Sequence, residues 1–159
     1  MKKLIIMGGL PASGKSTIRQ EFYSEYDVVD CDELKKIIEG CDPTNPREFH
    51  AQSKVLEKAL IYKYLSEGKS FLYDTTATNS DKVIRMTQQA QELGYEVEMV
   101  YVKVTLATSI ERNSKRDRVV PMEVIIEKYE QIESAMKIAE KFVDTFTVID
   151  NEADWLSLK

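Results

Sequence analysis

Positive charge is in short supply in this chain, where 22 lysines and arginines stand against 27 aspartates and glutamates for a net charge of −5 over 159 residues. A broad nucleic-acid footprint needs a basic face that neutralises many phosphates, so the balance argues against a protein that coats DNA or RNA. Cysteine is nearly absent. Cys31 and Cys41 have no metal-type spacing and read as reduced thiols in a cytosolic protein. The single histidine, His50, falls in a helical stretch and reads as a structural or surface residue rather than a ligand. Long apolar runs are missing too: the first, Leu4-Ile-Ile-Met7, is cut off by glycine, which excludes a signal peptide and a membrane helix. With 43% hydrophobic and 31% charged residues, and no Pro/Gly/Ser linker, tract or repeat, residues 1–159 read as a single globular domain.

What is present is concentrated at the start. Gly9-Leu-Pro11-Ala12-Ser13-Gly14-Lys15-Ser16-Thr17 fits G-x-x-x-x-G-K-[ST] and directly follows the apolar run Lys3–Gly8. Glycines let backbone N–H groups turn inward onto phosphate oxygens, and the loop feeds a helix N-terminus that carries partial positive charge. The pattern implies a nucleotide bound by Gly9, Pro11, Ala12, Ser13, Gly14, Lys15, Ser16 and Thr17, with Lys15 on the terminal phosphates and Ser16 on Mg²⁺.

Beyond the loop, apolar runs alternate with helix-length segments. Val28-Val29, Phe71–Asp74, Val97–Val102 and Phe146–Ile149 read as further strands. Helices are predicted from Phe49, Leu56, Leu60 and Tyr64, from Val83, Met86, Ala90 and Leu93, and over 121–143, with Gly68 and Gly94 as stops and Pro121 in a first turn. The alternation predicts an α/β three-layer sandwich: about five parallel strands around a central first strand, flanked by helices.

In such a sheet, ligands lie beyond the carboxyl ends of the strands, where two acidic sets fall. In Asp30-Cys31-Asp32-Glu33-Leu34-Lys35, Asp30 suits helix capping and chemistry equally, whereas Asp32 is the candidate base. In Asp74-Thr75-Thr76, Asp74 ends an apolar strand, the setting of a carboxylate that organises Mg²⁺ together with Ser16. A third set runs from Arg112 through Lys115, Arg116 and Arg118 to Pro121, a cationic lid over about 112–121 that would neutralise charge and exclude water.

Taken together, the opening MKKLIIMGGLPASGKST with Arg19, Glu21 and Phe22, and the stretch ERNSKRDRVVPMEVI leading to Tyr129, resemble the 5′-kinase domain of the T-even phage polynucleotide kinase-phosphatases, which are P-loop kinases. The resemblance implies transfer of the ATP γ-phosphate to the 5′-hydroxyl end of DNA or RNA, in the cytoplasm of a cell or of a phage host. It implies Lys15, Asp32 and Arg116 as catalytic residues, Arg112 as a nucleotide contact, and Asp32, Lys35, Asp74 and Thr75 as acceptor contacts. Lys35 stands where that family has an arginine, Cys31 replaces another, and residues 39–53 share little with it. No Asp-x-Asp-Gly-Thr phosphatase signature occurs.

The same loop, base and lid serve any alcohol, so the alternative acceptor is a small hydroxylated metabolite, nucleoside or antibiotic. A nucleotide-binding regulator without turnover would need neither Asp32 nor Arg116. Near the end of the chain, Asn151 is a fold-analogy guess for the adenine side, while Trp155 and Leu156 suit a terminal dock or a contact with a second copy. If the acceptor is a polynucleotide end, Lys35, Arg47, Lys54 or Arg85 would hold only one to three nucleotides. The slope of log K against log[salt] should then be about −1 to −3, and one near −6 would contradict that short footprint.

Overall fold

The computed structural model describes residues 1–38, 46–116 and 119–152. Expectations placed on Cys41, Arg118, Trp155, Leu156 and residues 39–45, and on the side chains of Arg47 and Phe49, lie outside the described residues. The elements run β1 (Lys3–Gly8), α1 (Lys15–Phe22), β2 (Asp27–Asp30), α2 (Cys31–Ile37), α3 (Pro46–Glu67), β3 (Phe71–Asp74), α4 (Ser80–Glu92), β4 (Glu96–Lys103), α5 (Leu106–Ser114), α6 (Met122–Glu140) and β5 (Thr145–Asp150). The five strands form one parallel sheet in the order β2-β3-β1-β4-β5, with β1 in the middle as its unbroken apolar run predicts.

Alternation along β1 divides the core between two faces. Leu4 and Ile6 join Ile61 and Leu65 of α3, Val83, Met86 and Ala90 of α4, and Ile132, Met136 and Ala139 of α6. Ile5 and Met7 point the other way, onto Ile18 of α1 with Tyr23 and Tyr26 beside it. Helices therefore cover both faces, the P-loop kinase-type arrangement expected from the sequence. Gly68 and Gly94 follow the ends of α3 and α4 with φ of 68° and 87°, the left-handed geometry required of helix stops.

Two helices bury different faces from those expected. On α3, Leu56 is 43% exposed, and the sheet-facing row holds Ser53 (0%), Glu57 (2%), Ile61 and Leu65 instead. Leu60 and Tyr64 pack at its margin. On α6 the apolar stripe is wider than the contact: Ile125, Ile132, Ala135, Met136 and Ala139 are buried, while Met122, Ile126, Tyr129 and Phe142 remain at least 37% exposed. Pro121 is the N-cap of that helix, with ψ 140°, and not part of its first turn.

Glu57 lies inside because it is satisfied there. The Tyr73 hydroxyl donates to Glu57 Oε1, Lys82 Nζ donates to the same oxygen at 2.9 Å and to the Tyr73 hydroxyl oxygen at 2.7 Å, and Lys54 Nζ reaches Oε2 at 3.3 Å. Burial pushes the Glu57 carboxyl up, but the bonds from Tyr73 and Lys82 and the charges of the two lysines outweigh it, leaving the pKa below its ordinary 4.5. Burial and the Glu57 contact together push the Tyr73 phenol well above its usual range.

A carboxyl depressed on folding stabilises fully above its unfolded pKa and loses that contribution as pH falls through the folded value. We expect Glu57→Gln to lower stability by about 1–3 kcal/mol at pH 7, a figure discounted for the partly exposed lysines. The gap between variant and wild type should close as pH is taken from 4.5 downwards. Urea midpoints across that range would check it; a gap that persists at low pH would remove the charge-pair explanation.

Candidate active site

The carboxyl ends of β1, β2 and β3 open into a cleft of about 540 Å³. Its walls include the loop Pro11–Ser16, then Asp30, Asp32, Lys35, Asp74 and Thr75, and on the far side Arg112, Arg116 and Lys128. The residues expected to act together thus line one cavity, of a size ordinary for small-molecule sites. A second cavity of about 360 Å³ adjoins it, sharing Lys54, Tyr73, Thr75, Thr76 and Lys128 and extending to Asn79, Lys82 and Met86.

The loop is built to receive an anion. Helix α1 begins at Lys15 with Gly14 as a left-handed N-cap (φ 94°) and no side-chain cap, so its first N–H groups are left for a ligand. Glycine is required at 14 for a second reason: a Cβ there would sit 2.2 Å from Asn151 Nδ2. Ser13 is 1% exposed, and its Oγ has no hydrogen-bond partner among the described residues. Lys15 Nζ donates to Gly9 O at 2.9 Å and lies 3.8 Å from Asp74 Oδ1, folded across the loop it would leave when phosphate arrives.

Neighbouring elements hold the loop from outside. Asn151 Nδ2 donates to Ser13 O at 2.8 Å, Ser109 Oγ to Pro11 O at 2.6 Å, and the Gly9 N–H to Thr76 O at 3.3 Å. Arg112, expected to touch nucleotide, donates Nη1 to Ser13 O at 3.3 Å and Nη2 to Asn151 O at 2.8 Å and Glu152 O at 3.1 Å. It lines the cleft while bracing the loop against the end of β5. Asn151, the guess for the adenine side, is 6% exposed and serves the same brace.

Three carboxylates reach the rim in different states. Asp30 caps α2, its Oδ1 accepting from the Asp32 N–H at 2.9 Å, while its Oδ2 accepts from Arg19 Nη1 at 2.8 Å. The same Arg19 nitrogen donates to Asp74 Oδ2 at 2.7 Å. Burial pushes the Asp74 carboxyl up, with Lys15 and Arg19 pulling down and Asp30 adding to the rise. Arg19 loses charge preference through burial but regains more from Asp30 and Asp74, so it stays firmly cationic. Asp32, by contrast, is 54% exposed in the cleft with Lys35 Nζ 3.9 Å from its Oδ1.

Sequence reasoning gave no role to Arg19, Glu57 or Asn113. Arg19 and Glu57 are charged residues at helix positions that face the core, a cue that is visible once the helix phase is known. Asn113, 4% exposed, ties the end of α5 to Val120, donating Nδ2 to Val120 O at 2.8 Å and accepting from the Val120 N–H at 3.0 Å. Arg116 is exposed and lines the cleft mouth. His50 lies at the cleft wall, with burial and then Lys35 and Lys54 holding its pKa below 6.5. Among the described residues no cluster of His, Cys, Asp or Glu could hold a metal alone. Ser16 and Asp74 nevertheless supply the hard oxygen donors that suit a Mg²⁺ ion keeping most of its waters.

Comparison with known proteins agrees with the fold. The L-seryl-tRNA(Sec) kinase of Methanococcus maripaludis is 26% identical over 155 residues, matching 92% of this chain, which spans 61% of that relative's length. A structure from the PezAT toxin-antitoxin system of Streptococcus pneumoniae superposes with a TM-score of 0.71 at 17% identity, over 95% of this chain and 68% of that one. A gluconokinase from Sinorhizobium meliloti 1021 gives 0.63 at 14%, over 98% and 86%. These two structural likenesses speak for the fold alone. The P-loop kinase fold read from the sequence stands; the polynucleotide acceptor finds no support among these relatives. No helix of the described residues is long and apolar enough to cross a membrane. The Zeta toxin family model matches residues 1–156, and the chain accordingly belongs to the Zeta toxin family of P-loop kinase fold.

Proposed function

We propose that this protein is an ATP-dependent kinase that phosphorylates a hydroxyl of a small acceptor rather than a free polynucleotide end. One observation carries the reading. Of the three rim carboxylates, Asp30 and Asp74 are bound by Arg19, whereas the exposed Asp32 shares the cleft with Lys15, Ser16 and Arg116. The acceptor assignment draws on the paired state of the nearby cations: Lys35 lies by Asp32, and Lys54 and Lys82 by Glu57. A strand of phosphates finds few uncompensated charges there, while a compact polar molecule finds a second cavity lined by Thr75, Thr76, Thr78 and Asn79. A gluconokinase shares the fold, and the seryl-tRNA kinase acts on a molecule whose seryl group carries an alcohol.

The chemistry assigns one task to each residue. The loop N–H groups and Lys15 hold the triphosphate, with Arg116 adding positive charge at the cleft mouth. Asp32 takes the acceptor proton as the new O–P bond forms; the bond from the γ-phosphorus to the bridging oxygen breaks, and ADP leaves. Bound Mg²⁺, on Ser16 and Asp74, would neutralise phosphate charge. Thr75, held by its N–H to Met7 O at 3.1 Å, presents its side chain beside the acceptor, as do Lys35 and the Asp74 neighbourhood.

The test is transfer of labelled γ-phosphate from ATP with Mg²⁺ to a panel of sugars, nucleosides and amino alcohols, alongside 5′-hydroxyl DNA and RNA. Label on a small alcohol is the expected result. Label confined to the oligonucleotides would restore the polynucleotide reading, and nucleotide binding without transfer would leave a regulator. Asp32→Asn should cut kcat by about 10²–10⁴ while nucleotide affinity stays within about threefold, since the base acts on the acceptor alone. Arg116→Ala should cost about 10²–10³ in kcat. Wild-type turnover in either variant would remove that residue from the mechanism.

A further inference from the structure

We infer that Arg19 is a positioning residue: it ties occupancy of the phosphate loop to the orientation of the helix that carries Asp32. The inference rests on the kinase reading above. Arg19 lies one helical turn after Lys15 on α1, so its backbone moves with the loop, yet its guanidinium is 8% exposed among groups from other elements. Nη1 donates to Asp30 Oδ2 and Asp74 Oδ2, and Nη2 lies 3.9 Å from Glu33 Oε1. Two of these three carboxylates belong to the α2 side: Asp30 is its cap, and Glu33 lies in its first turn.

The connection to the base is direct. Asp30 uses one oxygen for Arg19 and the other for the Asp32 N–H, so the arginine fixes the side chain that fixes the start of α2. On the opposite side, Asp74 faces both Arg19 and Lys15, the lysine at 3.8 Å. A Mg²⁺ ion accompanying the nucleotide, held by Ser16 and Asp74, would bring more positive charge to Asp74 than the departing Lys15 removes, disfavouring the guanidinium there and favouring its bonds to Asp30 and Glu33. The α2 cap then tightens as the loop fills. A guanidinium can serve three acceptors in this way because its donors are spread around a plane, and an ammonium cannot.

A merely structural Arg19 would stabilise the fold without transmitting anything, so the test reads transmission. Amide hydrogen exchange of α2 is measured with and without AMP-PNP and Mg²⁺, with α4 as internal reference and nucleotide affinity measured in parallel. In the wild type, nucleotide should slow exchange in α2 by about tenfold while α4 is unchanged. Asp30→Asn keeps an oxygen for the Asp32 N–H but drops the charge that holds Arg19; it should bind nucleotide and lose the α2 response. Arg19→Lys, which keeps the cation on α1, should do the same and covers the case in which the first variant folds poorly.

A full α2 response in both variants would overturn the inference, as would a wild type that binds nucleotide without slowing α2. A wild type that does not bind nucleotide would overturn the kinase reading itself, and the coupling with it.

Discussion

Asp30 and Asp74 sit opposite one another at the ends of adjacent parallel strands, and the cleft depends on the single guanidinium between them. Parallel register places the two residues about 5 Å apart in a region of low exposure, where like charges repel strongly. Little water reaches in to screen them, with Asp30 13% and Asp74 8% exposed. Arg19 from the first turns of α1 resolves the conflict, and in doing so it joins the glycine-rich loop, the edge strand β2 and its neighbour β3. A buried charge set of this kind contributes little net stability compared with an apolar core, and removing one member leaves the others stranded. Its contribution is position: the ladders to β3 and β1 fix β2, and Arg19 adds a side-chain tie between α1 and the cap of α2.

The loop is held by a separate set of bonds with the same purpose. Catalysis by preorganised donors requires that N–H groups already point where charge will appear, so the backbone must not relax around the ground state. Arg112, Asn151 and Ser109 all donate to carbonyls of the loop, so these braces use none of its N–H groups, although Gly9 N–H and Ser13 N–H are taken by Thr76 O and Leu10 O. Ala12 is held at φ 58°, a left-handed conformation that a non-glycine residue adopts only under such constraint. Arg112 is thus both a wall of the cleft and a strut. A residue bonded to three carbonyls has only part of its donor set left for a nucleotide.

The sequence made the scaffold legible because its signals are local. An apolar run before a glycine-rich loop, strands spaced by helix-length segments and glycines at helix ends each depend on a few neighbouring residues. That Lys15, Ser16, Asp32, Asp74 and Arg116 would line one cleft was legible for the same reason, since local motifs and element ends fix where they emerge. Arg19 was not, because its partners lie 11 and 55 residues away on strands whose register no local pattern reveals. Glu57 misled the reading of α3: apolar spacing favours Leu56, and only the distant Tyr73 and Lys82 make a buried glutamate possible. The broad stripe on α6 failed differently. Periodicity tells which residues are able to be buried, while the width of the facing surface decides which are.

Net charge and local charge point in opposite directions in this protein, and function follows the local one. An overall charge of −5 is spread over the surface, where ions screen it beyond about 8–10 Å. Inside the cleft, Lys15, Arg112, Arg116 and Lys128 surround the loop within a short range and partly out of water, so a triphosphate feels them first. The acidic groups that could repel it are spoken for: Asp30 and Asp74 by Arg19, Glu57 by Lys54, Lys82 and the Tyr73 hydroxyl. Asp32 stands at the exposed part of the rim with Lys35 Nζ 3.9 Å from its Oδ1, and its carboxylate shares the cleft with the phosphate loop. Under the proposed reaction, an acceptor small enough to enter beside the nucleotide would place its hydroxyl between that carboxylate and the phosphate.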